Sequence, residues 1–231
     1  MANTTTPKTA PETKEPVNQN EAFILKYKNA IIGCTIAAVV IICGLIFWNS
    51  HAKSSQEKAN TQMAMAEDLF GMALQLGDSA AFARALNGDT ANVAGFLNII
   101  DDFGSTAAGN VAKLYAGLCY AHMGEWQKAA DYLNKFSDTG DQMISPAAIG
   151  ALGDVYAHMD QLDKAVDQYK KAASKADNNT LTPMYLVKAG EILESQGKKA
   201  EALKLYQQVK DQYVQSAAYQ TIDEYIERVK E

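Results

Sequence analysis

Two histidines are the first residues of this 231-residue chain that could do chemistry: His122 and His158 each stand in the tetrapeptide Tyr-Ala-His-Met. Imidazole changes charge near neutral pH, so such a pair could relay protons or ligate a metal. A metal site needs further ligands at set spacing, and no third His, Cys or carboxylate recurs with the two. Their shared context reads as one repeat position copied once. Asp101-Asp102 and the pair Asp138 and Asp141 flank turns, where carboxylates cap helices or face water. Cys34 and Cys43 lie nine residues apart in one apolar run; at about 100° per residue they point to opposite faces of a helix and do not pair. Cys119 reads as a small buried hydrophobe. There is no phosphate-binding loop, nucleophile elbow, paired-cysteine motif or zinc-protease helix motif. The expectation is a protein that is not an enzyme, with no catalytic residue, cofactor, metal or small-molecule substrate. A net charge of −6 without clustered cations also argues against a nucleic-acid partner.

The elements carrying the histidines repeat. Gly117, Gly153 and Gly190 recur at intervals of 36 and 37 residues. Ala129, Ala165 and Ala202 each follow twelve residues later, and Leu133, Tyr169 and Tyr206 four residues after that. Glycine inside a helix costs about 1 kcal/mol relative to alanine, so three at one repeat position need a reason. Close approach of two helices in a hairpin supplies it, with the alanine serving the same contact from the other side. The Tyr or Leu one turn on is expected to fill space against the neighbouring hairpin. Gly124 and Gly197 fall at the turns, with Asp160 in the middle copy, a residue that tolerates left-handed backbone. Pro146 and Pro183 open repeats, where proline suits a helix start.

This set (Gly117, Tyr120, Gly124, Ala129 and Leu133, with copies including Tyr156, Tyr169 and Tyr206) resembles the tetratricopeptide repeat (TPR) family over residues 105–212. Two departures stand out: the early aromatic of each repeat is missing, and Leu193 replaces the tyrosine found at 120 and 156. Upstream, Val93, Phe96, Leu97, Ile100 and Phe103 form a stripe at helical spacing, read as the second helix of a degenerate first hairpin. Met65, Leu69, Met72 and Leu76 form another stripe, ended by Gly77 and expected in the core; a methionine-rich binding surface is the alternative. Ile222, Tyr225, Ile226 and Val229 fit a capping helix over 213–231.

Residues 30–48 run AIIGCTIAAVVIICGLIFW without a charge. As a helix this stretch is roughly 28 Å long, close to the hydrocarbon thickness of a bilayer. Lys26, Tyr27 and Lys28 flank one end and Trp48, His51 and Lys53 the other, as interfacial anchors do. A cleavable signal has a shorter apolar region of about 7–15 residues, although Ser50-His51-Ala52 remains open as a cleavage site. Lys14, Lys26 and Lys28 before the run favour a cytoplasmic N-terminus. Residues 1–29 read as a disordered cytoplasmic tail, its first part too polar to bury a core, and residues 49–104 as a linking helix plus the degenerate hairpin. The fold class expected is all-α: one transmembrane helix followed by a TPR-like α-solenoid.

The whole plan, with the run ending Phe47-Trp48-Asn49-Ser50-His51, resembles the YfgM-like family, ancillary subunits of the bacterial SecYEG translocon. The resemblance implies an inner-membrane protein with a periplasmic C-terminal domain. Its implied partners are proteins: translocon subunits, periplasmic chaperones or unfolded clients. An envelope scaffold akin to the Tol–Pal-associated TPR proteins is the alternative. The TPR likeness further implies a concave groove lined by the first helix of each hairpin: Val111, Leu114, Leu118 and His122, then Asp154 and His158, then Met184, Val187, Glu191 and Glu194. That order runs from apolar to acidic.

Overall fold

The computed structural model describes residues 19–89 and 93–230. The expected tail over 1–18 lies outside the described residues. The chain divides into two units, Met1–Ala52 and Lys53–Glu231.

Helix α1 runs Gln19–Leu76. It therefore takes in residues 19–29, which the sequence reading assigned to the tail: Phe23, Lys26 and Tyr27 continue the helical pattern without a breaker. In the first unit its apolar stretch has a mean hydropathy of 2.8 and is long enough to cross a membrane by length and composition. The hydroxyl of Thr35 donates to the Ile32 carbonyl at 2.9 Å, so the one polar side chain in the stretch is satisfied within its own turn.

In the second unit α1 buries Ala59, Met63, Ala66, Phe70 and Ala73. Their 4-3-4-3 spacing makes one face. The stripe expected in the core is a different one: Met65, Met72 and Leu76 are 42, 57 and 65% exposed, and Leu69 is half-buried. Both stripes fit a helix equally well by spacing, and the larger side chains favoured the second. The domain selected the alanine-rich face because small residues let α1 approach closely, with Phe70 filling the gap. Phe70 meets Phe82, Phe96 and Tyr115 edge-on at 5.8, 6.3 and 5.2 Å.

Gly77 ends α1 with φ +69°, and Asp78 caps α2 (Ser79–Asn87) by accepting from the Ala81 amide at 2.6 Å. The sequence reading had no helix here. Next comes a minute antiparallel ladder, β1 (Gly88–Asp89) against β2 (Val93–Ala94), so Val93 belongs to a strand and not to the helical stripe. The ladder departs from an otherwise helical chain because Gly88 at φ +91° turns the backbone. Helix α3 (Phe96–Phe103) buries Phe96 and Ile99.

Three hairpins follow. They are α4 (Ala107–His122) with α5 (Trp126–Asn134), α6 (Ile144–His158) with α7 (Leu162–Ala176), and α8 (Leu181–Ser195) with α9 (Lys199–Gln212). Each hairpin turns through a left-handed residue: Gly124 at φ 75°, Asp160 at φ 58° and Gly197 at φ 73°. Pro146 and Pro183 are each the third residue of their helix, where an amide has no intrahelical partner to lose. A 3-10 turn, Ala217–Gln220, leads to α10 (Ile222–Lys230), which buries Ile222, Ile226 and Val229 over the last hairpin.

Candidate protein-binding groove

The repeat glycines set how closely the helices pack. A Cβ on Gly117 would fall 2.6 Å from Leu133 Cγ, one on Gly153 2.8 Å from Tyr169 Cδ1, and one on Gly190 2.7 Å from Tyr206 Cζ. The side chain expected against the neighbouring hairpin thus lies over the glycine of its own hairpin. Ala129, Ala165 and Ala202 are fully buried. Contact with the next hairpin uses a glycine that the repeat alignment passes over: Gly150 faces the ring of Tyr185. Tyr120 is buried, Tyr156 half-buried, and Leu193 is buried in the tyrosine's place.

With the second helices held this way, the first helices stand side by side, α4 touching α6 and α6 touching α8. Between α4 and α6 lies a cleft of ≈ 280 Å³ lined by Leu118, Ala121 and His122 from α4, by Ala151, Asp154, Val155 and His158 from α6, and by Trp126. Four predicted residues (Leu118, His122, Asp154 and His158) meet here. Both histidines are stacked: His158 on Trp126 at 4.1 Å and 4°, His122 on Phe82 at 4.3 Å and 1°. The sequence reading missed Trp126 and Phe82. Trp126 could have been found, since it opens α5 four residues after His122; Phe82 could not, since it comes from α2 through the tertiary fold. Burial lowers the His122 pKa, so the cleft holds a neutral imidazole at pH 7.

Asp154 is no free acid. Its Oδ1 accepts from the Tyr169 hydroxyl and from Lys188 Nζ, each at 2.6 Å. Burial, then Asp154, raise the Tyr169 pKa, which keeps that hydroxyl a donor.

Met184, Val187 and Glu191 line a second cleft, of ≈ 530 Å³, together with Lys188, Thr221, Tyr225 and the turn at 215–218. Glu194 is not part of it. Its carboxylate takes two hydrogen bonds from Arg228, at 2.6 and 2.8 Å, and one from the Tyr206 hydroxyl at 3.2 Å. Leu114 is 7% exposed and belongs to the core, and Val111 is half-buried against that core. The start of α4 is enclosed because Phe96 of α3 and Phe70 of α1 close on Tyr115. The expected apolar-to-acidic gradient is therefore flattened: the core takes Leu114, and Lys188 and Arg228 neutralise Asp154 and Glu194. Among the described residues no group of three His, Cys, Asp or Glu could hold a metal ion.

Stacked hairpins with glycine–tyrosine contacts and open clefts along the first helices define a TPR-like solenoid, a class that binds proteins. The model of the tetratricopeptide repeat-like domain family matches residues 21–230, and the chain belongs to that family. Among solved structures it is similar to the nearly identical TPR-like repeats of a Podosopora anserina putative kinesin light chain: TM-score 0.55, 12% identity, covering 75% of this chain and 86% of that one. A single-substitution variant of the same repeats gives TM-score 0.55 and 13% identity, covering 75% and 85%. At such identity the likeness shows the fold. No curated protein matches the chain.

Proposed function

We propose that this protein is a membrane-anchored TPR scaffold that binds segments of other proteins outside the cytoplasm, as an ancillary subunit of the secretory translocon working with periplasmic chaperones. One observation carries the reading: an unbroken apolar helix and a solenoid with clefts along its first helices occur in one chain. The apolar helix is the anchor, with the N-terminus cytoplasmic because the lysines cluster ahead of it. The domain after Ala52 then stands in the periplasm of a bacterial inner membrane. The α4–α6 cleft suits one apolar side chain between stacked aromatic walls, and Glu191 beside Met184 and Val187 suits a basic neighbour. Several such contacts, each weak, fit a protein that captures and releases clients.

Isolation of the full-length protein in mild detergent at native expression tests this. Translocon subunits should accompany it, and Leu118→Glu, which puts a charge in the cleft, should reduce client crosslinks without unfolding the domain. Recovery of peptidoglycan or outer-membrane machinery with no translocon subunit would overturn the reading in favour of an envelope scaffold.

A further inference from the structure

One position of the repeat carries an acid whose partner changes along the groove. Leu118, Asp154 and Glu191 each directly follow the repeat glycine. Asp154 on α6 receives Lys188 from α8, the first helix of the next hairpin, at 2.6 Å. The same Lys188 Nζ stands 5.5 Å over the Tyr169 ring. Glu191 on α8 has no further hairpin to supply its lysine. Helix α10 packs on α9 in that place, and Tyr225 falls where the lysine would: Lys188 and Tyr225 are 37 residues apart, as are Gly153 and Gly190. Burial, then the Glu191 carboxylate, raise the Tyr225 pKa, so a neutral hydroxyl faces the acid. Lys188 and Arg228 are committed to Asp154 and Glu194. Among the described residues Glu191 is in no ion pair.

We propose that Glu191 recognises one Lys or Arg side chain of a bound protein segment, which takes in trans the place that Lys188 takes beside Asp154. The ≈ 530 Å³ cleft gives a long side chain its room. Met184, 38% exposed, and half-buried Val187 share the face of α8 that carries Glu191, at i, i+3 and i+7. They form an apolar bed for the methylene stem, since long cationic side chains cover apolar surface with their stems and keep the charged head outside it. An acidic residue at this point of the segment would meet Glu191 as a like charge, which gives the site its selectivity. The inference rests on the groove's reading as a protein-binding surface and does not depend on the translocon.

The test uses the full chain in mild-detergent micelles and short fluorescein-labelled peptides of Leu and Ser with one central residue varied: Lys, norleucine (which lacks the ammonium) or Glu. By fluorescence anisotropy the Lys peptide should bind the wild type roughly fivefold more tightly than the norleucine peptide, the upper range for a part-exposed ion pair. Added salt should shrink that preference. Glu191→Gln should erase it and leave the norleucine peptide unchanged. Glu191→Lys should favour the Glu peptide over the Lys peptide. Both variants should keep the wild-type circular dichroism because Glu191 is exposed. Equal binding of the Lys and norleucine peptides to the wild type, no saturable binding of either, or a Lys preference that survives Glu191→Gln would each overturn the proposal. Equal binding would still leave the groove a peptide-binding surface, so the two readings fail separately.

Discussion

Adding one methyl group at Gly153 tests the packing that builds the groove. The new Cβ would sit 2.8 Å from both Cδ1 and Cε1 of Tyr169, whereas carbons pack at about 3.5–4.0 Å. The ring cannot simply swing aside. Tyr169 is 3% exposed, and its hydroxyl is tied to Asp154, which also holds Lys188. Either the helices separate or the network breaks. Overpacking of this kind costs roughly 1–3 kcal/mol, and the better helix propensity of alanine returns about 1 kcal/mol. Gly153→Ala should therefore lose about 1 kcal/mol on balance. Gly71 in α1 is the control, because a Cβ there meets nothing within 4 Å; Gly71→Ala should gain up to about 1 kcal/mol from propensity alone. For a domain of this size each kcal/mol moves the melting temperature by about 2–4 °C. The same substitution should thus lower the transition at one site and raise it at the other, by calorimetry or circular dichroism. Equal transitions, or a higher one for Gly153→Ala, would show that Tyr169 does not press on Gly153. Gly153→Leu, a far larger side chain, should cost several kcal/mol.

Asp160 holds φ 58° where the equivalent turns use Gly124 and Gly197; Asp160→Gly should stabilise by about 0.5 kcal/mol in urea titrations, relief of left-handed strain partly offset by chain entropy. Arg228 holds the Glu194 carboxyl below its ordinary value of 4.5, so the pair's contribution is present above about pH 4.5 and is lost as pH falls through the lowered value. Glu194→Gln should cost up to about 1 kcal/mol at pH 7, and its stability gap from wild type should close on acidification; a gap already absent at pH 7 in urea titrations would refute the assignment. Burial pushes the Cys119 thiol up to about 12, so thiol reagents at pH 8 should leave it unmodified until urea unfolds the domain; native-state modification at the rate of a free thiol would contradict its buried position.

The hairpins were legible in the sequence because their determinants are local and repeated. Gly117, Gly153 and Gly190 recur with an alanine and a large side chain at fixed offsets, and the turns demand residues that accept positive φ at 124, 160 and 197. The apolar run of 30–48 was legible for a simpler reason, its length and lack of charge. What the large side chain touches was not legible. Spacing says that Tyr169 and Tyr206 face inward, but only the crossing of two helices decides whether the ring lies over its own glycine or the next hairpin. The same limit explains α1, where two stripes have equal helical spacing and only the shape of the partner surface chose Ala59–Ala73 over Met65–Leu76. It explains the groove too. Leu114 and Leu118 share a face by count, yet the aromatic cluster around Tyr115 buries one and leaves the other at the cleft. Glu194 and Asp154 read as free acids until α10 brings Arg228, and α8 brings Lys188, within 2.6 Å. Local sequence determines which way a side chain leaves its helix; which atoms it meets is set by contacts between residues far apart in the chain, and single-chain periodicity carries no record of those.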